Sequence, residues 1–297
     1  TDAGIDIGIV ARTAYTTSHK STWGLMVSGY FATKAIAGGI MMVAALLVLL
    51  GHAQEQAAVG IAPSVIAGVF LAATGVLLVG DLKQPGRFLY LLTRSNPSSW
   101  LVRGAYVLSA FALSCAIWFV AGLADGTAVI TVLAIPVAIL GASTAAYTAF
   151  LFGQCEGRDL WQTPLLLPLL LARAVVAGAA AYLVLAAFIT VPSERAIVWT
   201  LLGGVIAIGF LLQVEVSSHG SRHVELAVRA MVHGEHRTWF WGGVLLGVIV
   251  PGVLAIVALA ADTTNPGLLV PAAASAIAGV FVGETAFVRA GQSVPLS

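Results

Sequence analysis

Charged residues are scarce in this chain: 9% of its 297 residues are Asp, Glu, Lys or Arg, against about 25% in an ordinary soluble domain. With 59% hydrophobic residues and a mean hydropathy of +0.99, that scarcity excludes a soluble enzyme and a disordered chain. A 30.5 kDa globule has too little interior to hide so much apolar surface. The net charge of +1 provides no basic field to attract nucleic acid. Cysteine is nearly absent: Cys115 and Cys155 alone build neither a disulfide framework nor a four-cysteine iron–sulfur site, so any cluster belongs to a partner. Histidine is badly placed for a membrane haem, which takes ligands from two helices at one depth. His19, His219, His223, His233 and His236 all fall at or beyond one end of the apolar runs, and His52 stands alone at the other. His219 and His223 share a helical face, but one helix does not supply opposite axial positions, and no Cys or third His completes a metal site beside them. The expectation is a protein with no haem, metal or cluster of its own. No cleavable signal pattern opens the chain, and it begins on Thr1 rather than Met, so an initiator or short leader is expected before it.

What is abundant is long apolar sequence. A helix needs about 20 mostly apolar residues to cross the hydrocarbon core. Eight such runs are present, at roughly 24–50, 60–81, 104–124, 127–152, 164–190, 196–217, 238–261 and 266–289. They are continuous instead of alternating, which predicts helices and not strands. The expected fold is an all-α polytopic membrane protein, a single integral membrane domain over residues 1–297, with both termini on one side. Connections after the odd-numbered spans are short (51–59, 125–126, 191–195, 262–265), and those after the even-numbered spans are longer (82–103, 153–163, 218–237). Basic residues follow the same division. Arg12, Lys20, Lys83, Arg87, Arg94, Arg103, Arg158, Arg222, Arg229, Arg237 and Arg289 lie on the loop-rich side, and Arg195 alone on the other. The positive-inside rule then places the termini and long loops in the cytoplasm, the membrane being the bacterial cytoplasmic one. One polar face opposite a bare one is the mark of a docking side.

Lys34 and Arg173 fall inside spans, each about ten residues or 15 Å from the loop-rich end. Ionisable groups at that depth are costly and are functional candidates. Asp81, Glu215 and Glu284 lie at or near span ends on the same side, and Glu156 follows span 4. Two roles are open for this set: a proton route, or interhelical ion pairs that only hold the bundle. Trp23, Tyr30 and Lys34 share one face of span 1, and Thr144, Tyr147, Leu151 and Gln154 share a stripe of span 4. A Tyr or Gln at the polar end of an apolar cleft suits a quinone carbonyl, and a neighbouring acid or Lys suits the accompanying proton. Interfacial anchoring is the competing role for aromatic residues, and it is the expectation for Trp23, Trp100, Trp161, Trp239 and Trp241.

The most specific segment follows span 2. It reads Asp81-Leu82, Pro85, Arg87-Phe88, then Asn96-Pro97-Ser98-Ser99-Trp100 and Gly104-Ala105. Physically it is a helix end, a short interfacial segment with an apolar side, and a turn that caps the next span. The pattern resembles the NrfD/polysulfide reductase membrane-subunit family, in which D-L-x-x-P-x-R-F is followed by N-P-x-S-W and G-A. Trp23-Gly24, Tyr30-Phe31 and Ala37-Gly38-Gly39 in span 1, and the stretch from Tyr147 to Trp161, are similar to that family as well.

The resemblance implies two packed four-helix bundles. It also implies a haem-free subunit that reacts with a quinone, either menaquinone or ubiquinone, within a multisubunit respiratory oxidoreductase. The implied partners are a ferredoxin-like iron–sulfur subunit on the loop-rich face and, beyond it, a catalytic subunit of molybdopterin or other type. On this reading the quinone site lies between spans 1, 2 and 4. Tyr30, Tyr147 and Gln154 contact the quinone and Asp81 exchanges its proton. Lys34, Arg173, Glu215, Glu284 and Glu156 form a proton pathway toward the other side. Arg87, Arg94, Asn96, Trp100 and Arg158 receive the partner. An ion-coupled transporter using the same buried charges, and a passive membrane anchor, are the alternatives. The loop motif and the lack of a matching pair of broken helices weigh against transport.

Overall fold

The computed structural model describes residues 23–82, 86, 96–217 and 220–294. His19, His219, Lys83, Pro85, Arg87, Phe88 and Arg94 lie outside the described residues, so the core of the loop motif and two of the expected docking arginines have no structural account. The described chain is helical throughout: α1 Leu25–Leu49, α2 Gln56–Asp81, α3 Trp100–Leu123, α4 Thr127–Gly153, α5 Leu166–Leu185, α6 Glu194–Ser217, α7 Arg222–Val232, α8 Arg237–Ala260 and α9 Pro266–Ala290. Eight of these, all but α7, are long and apolar enough to cross a membrane, as the apolar runs require. This is an integral membrane protein.

Two spans open or break on π-turns, and proline explains both. In a π-turn a carbonyl pairs with the N–H five residues on. Pro63 deprives Ala58 of that donor and Val59 of its ordinary α-helical one, because proline has no N–H. The side chains of Tyr182 and Trp118 replace them, donating to Ala58 O at 3.2 Å and Val59 O at 2.9 Å. Pro251 does the same to Leu246 in the π-turn Leu245–Ile249, and Ser275 Oγ donates to Leu246 O at 2.8 Å. In hydrocarbon an orphaned carbonyl would have no water to turn to, so each proline is matched by a donor from another helix.

Helices α1 to α4 form one bundle and α5, α6, α8 and α9 the other. The two bundles meet where α1 packs on α5 and α9, and α4 on α5. α1 and α5 are the central helices, with 78% and 67% of their apolar stretch buried, against 22–39% for the other six. Lipid does not drive apolar helices together, so close approach depends on small residues. Gly38 of α1 lies against Gly141 of α4, while its neighbour Gly39 lies against Ala174 and Gly178 of α5. Adjacent residues project about 100° apart around a helix axis, so this pair fastens α1 to both bundles at once. Gly60–Gly122 joins α2 to α3, and Gly243–Gly283 and Gly247–Gly279 join α8 to α9 in the same manner.

The connection 218–237, read from sequence as a loop, contains the amphipathic helix α7. Ser221 caps it, accepting from Val224 N at 3.2 Å and donating to Asp159 Oδ2 at 2.5 Å. Ala227, Val228, Met231 and Val232 form its buried face, which lies over the loop-rich end of the second bundle. That end is clasped by aromatic stacking. Trp23 lies 4.7 Å from Trp161, and Phe152 lies 4.6 Å from Trp161 and 5.3 Å from Phe31. Trp161 is therefore a buried packing residue and not the interfacial anchor expected of it, whereas Trp241 is 53% exposed.

A Cβ at Gly39 would collide with the α5 backbone, so Gly39→Val is expected to cost about 1–3 kcal/mol. Gly203 of α6 has open space and should accept alanine with unchanged or higher stability. Melting of the detergent-solubilised protein checks both; equal Tm values for Gly39→Val and the unaltered chain would show that the α1–α5 contact is not tight.

Candidate functional site

The charged side chains of the central helices, Lys34 and Arg173, lie in the half of the bundle nearest the long loops. Tyr147 is six residues, or about 9 Å, from the end of α4. Its ring lies over Gly104 of α3, where any Cβ would overlap the ring carbons, so the Gly104-Ala105 element of the motif makes room for this tyrosine. Lys34 reaches from α1 beneath the same ring. It is 1% exposed, donates to Thr148 Oγ1 of α4, and its Nζ lies 4.5 Å from the Tyr147 centroid, 4.7 Å from Phe31 and 5.7 Å from Tyr30. An ammonium caged by three ring faces and one hydroxyl recovers part of the hydration it loses on burial. Glu284 lies within electrostatic range of both Lys34 and Tyr30.

Glu284 of α9 pairs with Arg173 of α5 at 2.9 Å, both almost fully buried, and its Oε2 has no hydrogen-bond partner among the described residues. Arg173 also lines an apolar cavity of about 30 Å³ inside the second bundle, whose lining includes Met231 of α7 and Phe240 of α8. That volume admits about two waters. Glu215 of α6 lines the same cavity and accepts from Thr163 Oγ1 at 2.7 Å, at the loop-rich end of α5. Glu284 and Arg173 thus form one ion pair, and Arg173 shares a cavity with Glu215 toward the loop-rich surface. Toward the other face the described parts of α1, α5 and α9 offer only Tyr182 and Ser275, and both hydroxyls are spent on backbone carbonyls.

A second opening lies between α2 and α3. It measures about 250 Å³ and is lined by Gly75, Leu78, Leu82, Leu101, Ala105 and Tyr147, among others. Its sides are apolar, Tyr147 stands at its inner wall, and Asp81, exposed at the end of α2, is next to the lining residue Leu82. The size and lining suit a ring-sized apolar ligand with one polar contact.

The structure brings together Tyr147, Tyr30, Lys34, Glu284 and Arg173. Tyr30 is 4% exposed and packs on Phe31 and near Lys34, behind the opening instead of in its wall. The opening therefore lies one helix away from the expected place between spans 1, 2 and 4, because α1 is central and has little surface left to line a lipid-facing cleft. Gln154 accepts from Trp100 N at 3.2 Å and serves the α3–α4 junction. Glu156 is exposed on the loop after α4, apart from these buried charges. Arg158 donates to Gly291 O and Val294 O at 3.3 and 2.8 Å, tying the end of the chain down, while Asn96 is exposed and Trp100 stacks on Phe150 at 4.3 Å. Thr148, Thr163 and Gly75 were not singled out in the sequence. A threonine beside the chosen Tyr147 was the one readable signal. The thiol pKa of Cys155 is raised by burial, with Arg158 pulling it down, and no group of three His, Cys, Asp or Glu residues is clustered for a metal among the described residues.

Eight spans with longer connections at one end describe a polytopic integral membrane protein. The chain belongs to the NrfD family: the family model, described as polysulphide reductase, NrfD, matches residues 14–295. Members of this family are membrane subunits of quinone-linked oxidoreductases and work with iron–sulfur and catalytic subunits. No curated protein matches the chain.

Arg173→Met would leave Glu284 buried without its cation, at a cost of about 3–5 kcal/mol, whereas Arg173→Met combined with Glu284→Leu should recover most of it. Thermal melting of the two variants tests this, and equal losses in both would mean that the pair does not stabilise the bundle interface.

Proposed function

We propose that this chain is the haem-free subunit through which a respiratory complex exchanges electrons with membrane quinone, either menaquinone or ubiquinone. The observation that carries the reading is Tyr147: a nearly buried phenol in the wall of a lipid-accessible apolar cleft, backed by a caged lysine. Quinone, when bound, supplies two-electron, two-proton chemistry. In this reading the Tyr147 hydroxyl hydrogen-bonds a carbonyl oxygen and fixes the ring's orientation. Lys34, when protonated, places positive charge behind the Tyr147 ring, which favours electron density arriving in the cleft. Asp81, beside the mouth, exchanges the proton with the loop-rich side. The cleft's apolar walls exclude water and leave the polar contact to the tyrosine.

The iron–sulfur partner docks on the loop-rich face, with Arg87, Arg94 and the exposed Asn96 as its contact residues and a molybdopterin-type or other catalytic subunit beyond it. The positive-charge bias supports a cytoplasmic position for this face. The buried set of Lys34, Glu284, Arg173 and Glu215 supports proton exchange with that same face. Along the described parts of α1, α5 and α9, a through-route to the opposite side lacks free intermediate polar steps.

Tyr147→Phe is expected to lower quinol turnover by the assembled complex about 10- to 100-fold, the loss of one hydrogen bond in an apolar site, with the iron–sulfur partner still co-purifying. Asp81→Asn should also slow turnover without loss of assembly. Normal turnover in either variant removes that residue from the mechanism, and a chain that purifies from its native membrane without an iron–sulfur subunit defeats the partner assignment.

A further inference from the structure

We propose that the groove between α2 and α3 is the binding site for the isoprenoid tail of the quinone, running from the Tyr147 cleft toward the far face. The inference rests on the quinone reading above. The Tyr147 cleft does not end at its base. Leu71 and Ala112 line both it and a second opening of about 500 Å³, bounded also by Ser64, Gly68, Cys115 and Phe119. From Leu78 to Ser64 the shared wall of α2 spans 14 residues, about 21 Å.

The glycines in this wall behave unlike those at the close helix contacts. Gly38, Gly39, Gly60 and Gly279 each meet backbone of a neighbouring helix, which is what small residues do between membrane helices. Gly68 and Gly75, two helical turns apart on the groove face of α2, have no atom within 4 Å of where a Cβ would stand. Opposite them α3 presents Ala105, Ala112 and Ala116. Small residues on both walls therefore leave the space between α2 and α3 unfilled, although the two helices touch at Gly60–Gly122 near the far face. The result is a narrow trough that closes at one end and leads into the Tyr147 cleft at the other.

Its chemistry favours hydrocarbon. Ser64 donates to Gly60 O and Ile61 O at 3.0 and 2.8 Å, and Ser109 to Ala105 O at 2.9 Å, so neither hydroxyl asks for a partner in the groove. The near end decides between a quinone tail and a phospholipid acyl chain. Tyr147 lies about 9 Å below the helix end, in an apolar cleft with no cation among the described residues of its lining, which suits a flat uncharged ring joined to the tail over a charged headgroup.

The test uses the full chain in phosphatidylcholine nanodiscs, with a long-tailed menaquinone and its single-prenyl analogue as ligands and tryptophan quenching as readout. The unaltered protein should prefer the long tail by about tenfold or more. Gly68→Leu, which fills open space, should erase that preference and leave affinity for the single-prenyl ligand unchanged. A preference that survives Gly68→Leu, or equal affinities in the unaltered protein, overturns the tail site and leaves the groove to lipid chains. Binding of neither ligand to the unaltered protein overturns the quinone reading itself. A menaquinone with a diazirine at its tail end gives a check without substitution. Crosslinks should fall in residues 64–68 or 115–119, and crosslinks confined elsewhere refute the assignment.

Discussion

The contact made by two adjacent glycines on α1 is the constraint on which the rest of the arrangement depends. Gly38 admits the α4 backbone and Gly39 admits that of α5, so a single helix is held at close range by both bundles. Being central, α1 loses nearly all its surface to its neighbours, and Lys34 on it is taken out of water from every side. The same closeness brings Thr148 and Tyr147 of α4 to one side of the lysine, with Glu284 of α9 in electrostatic range. A looser α1 would leave the ammonium without its cage, and burying it would then cost more than the fold recovers.

The second feature is asymmetry along the membrane normal. Lys34, Arg173, Glu284, Glu215, Tyr30 and Tyr147 all occupy the half nearest the long loops. The far half of α1, from Ala35 to Leu49, has no polar side chain at all. Carboxylates and cations close to one face can be hydrated through small cavities such as the one beside Arg173, at far lower cost than at the bilayer centre. The bare half keeps α1 and α5 packed by alanine and glycine, and its hydroxyl and indole donors serve the carbonyls that Pro63 and Pro251 leave open. Chemistry and scaffold are thus separated by depth.

Much of this was legible in the sequence. Apolar runs gave the eight spans because hydrocarbon imposes a minimum length on any helix that crosses it. The motif around Asp81 and Asn96 identified the family, although the residues at its centre lie outside the described ones. The helix α7 went unread because its apolar face is only four residues, too few to register beside spans of 20 or more. Trp161 was misjudged for a related reason: an aromatic near a span end looks the same whether it faces headgroups or a facing ring, and only Trp23 and Phe152 decide which.

By itself, then, the sequence determined the solvent, the number of crossings, the polar face and the set of costly buried charges, since each follows from composition and one-dimensional spacing. Tertiary structure alone decided how those charges are used. It set Arg173 on Glu284, placed Lys34 under Tyr147 and gave Arg158 to the carbonyls at the chain's end. It also opened the cleft between α2 and α3, because whether a glycine brings two helices together or leaves a groove between them depends on what stands opposite, and spacing along one strand of sequence does not contain that.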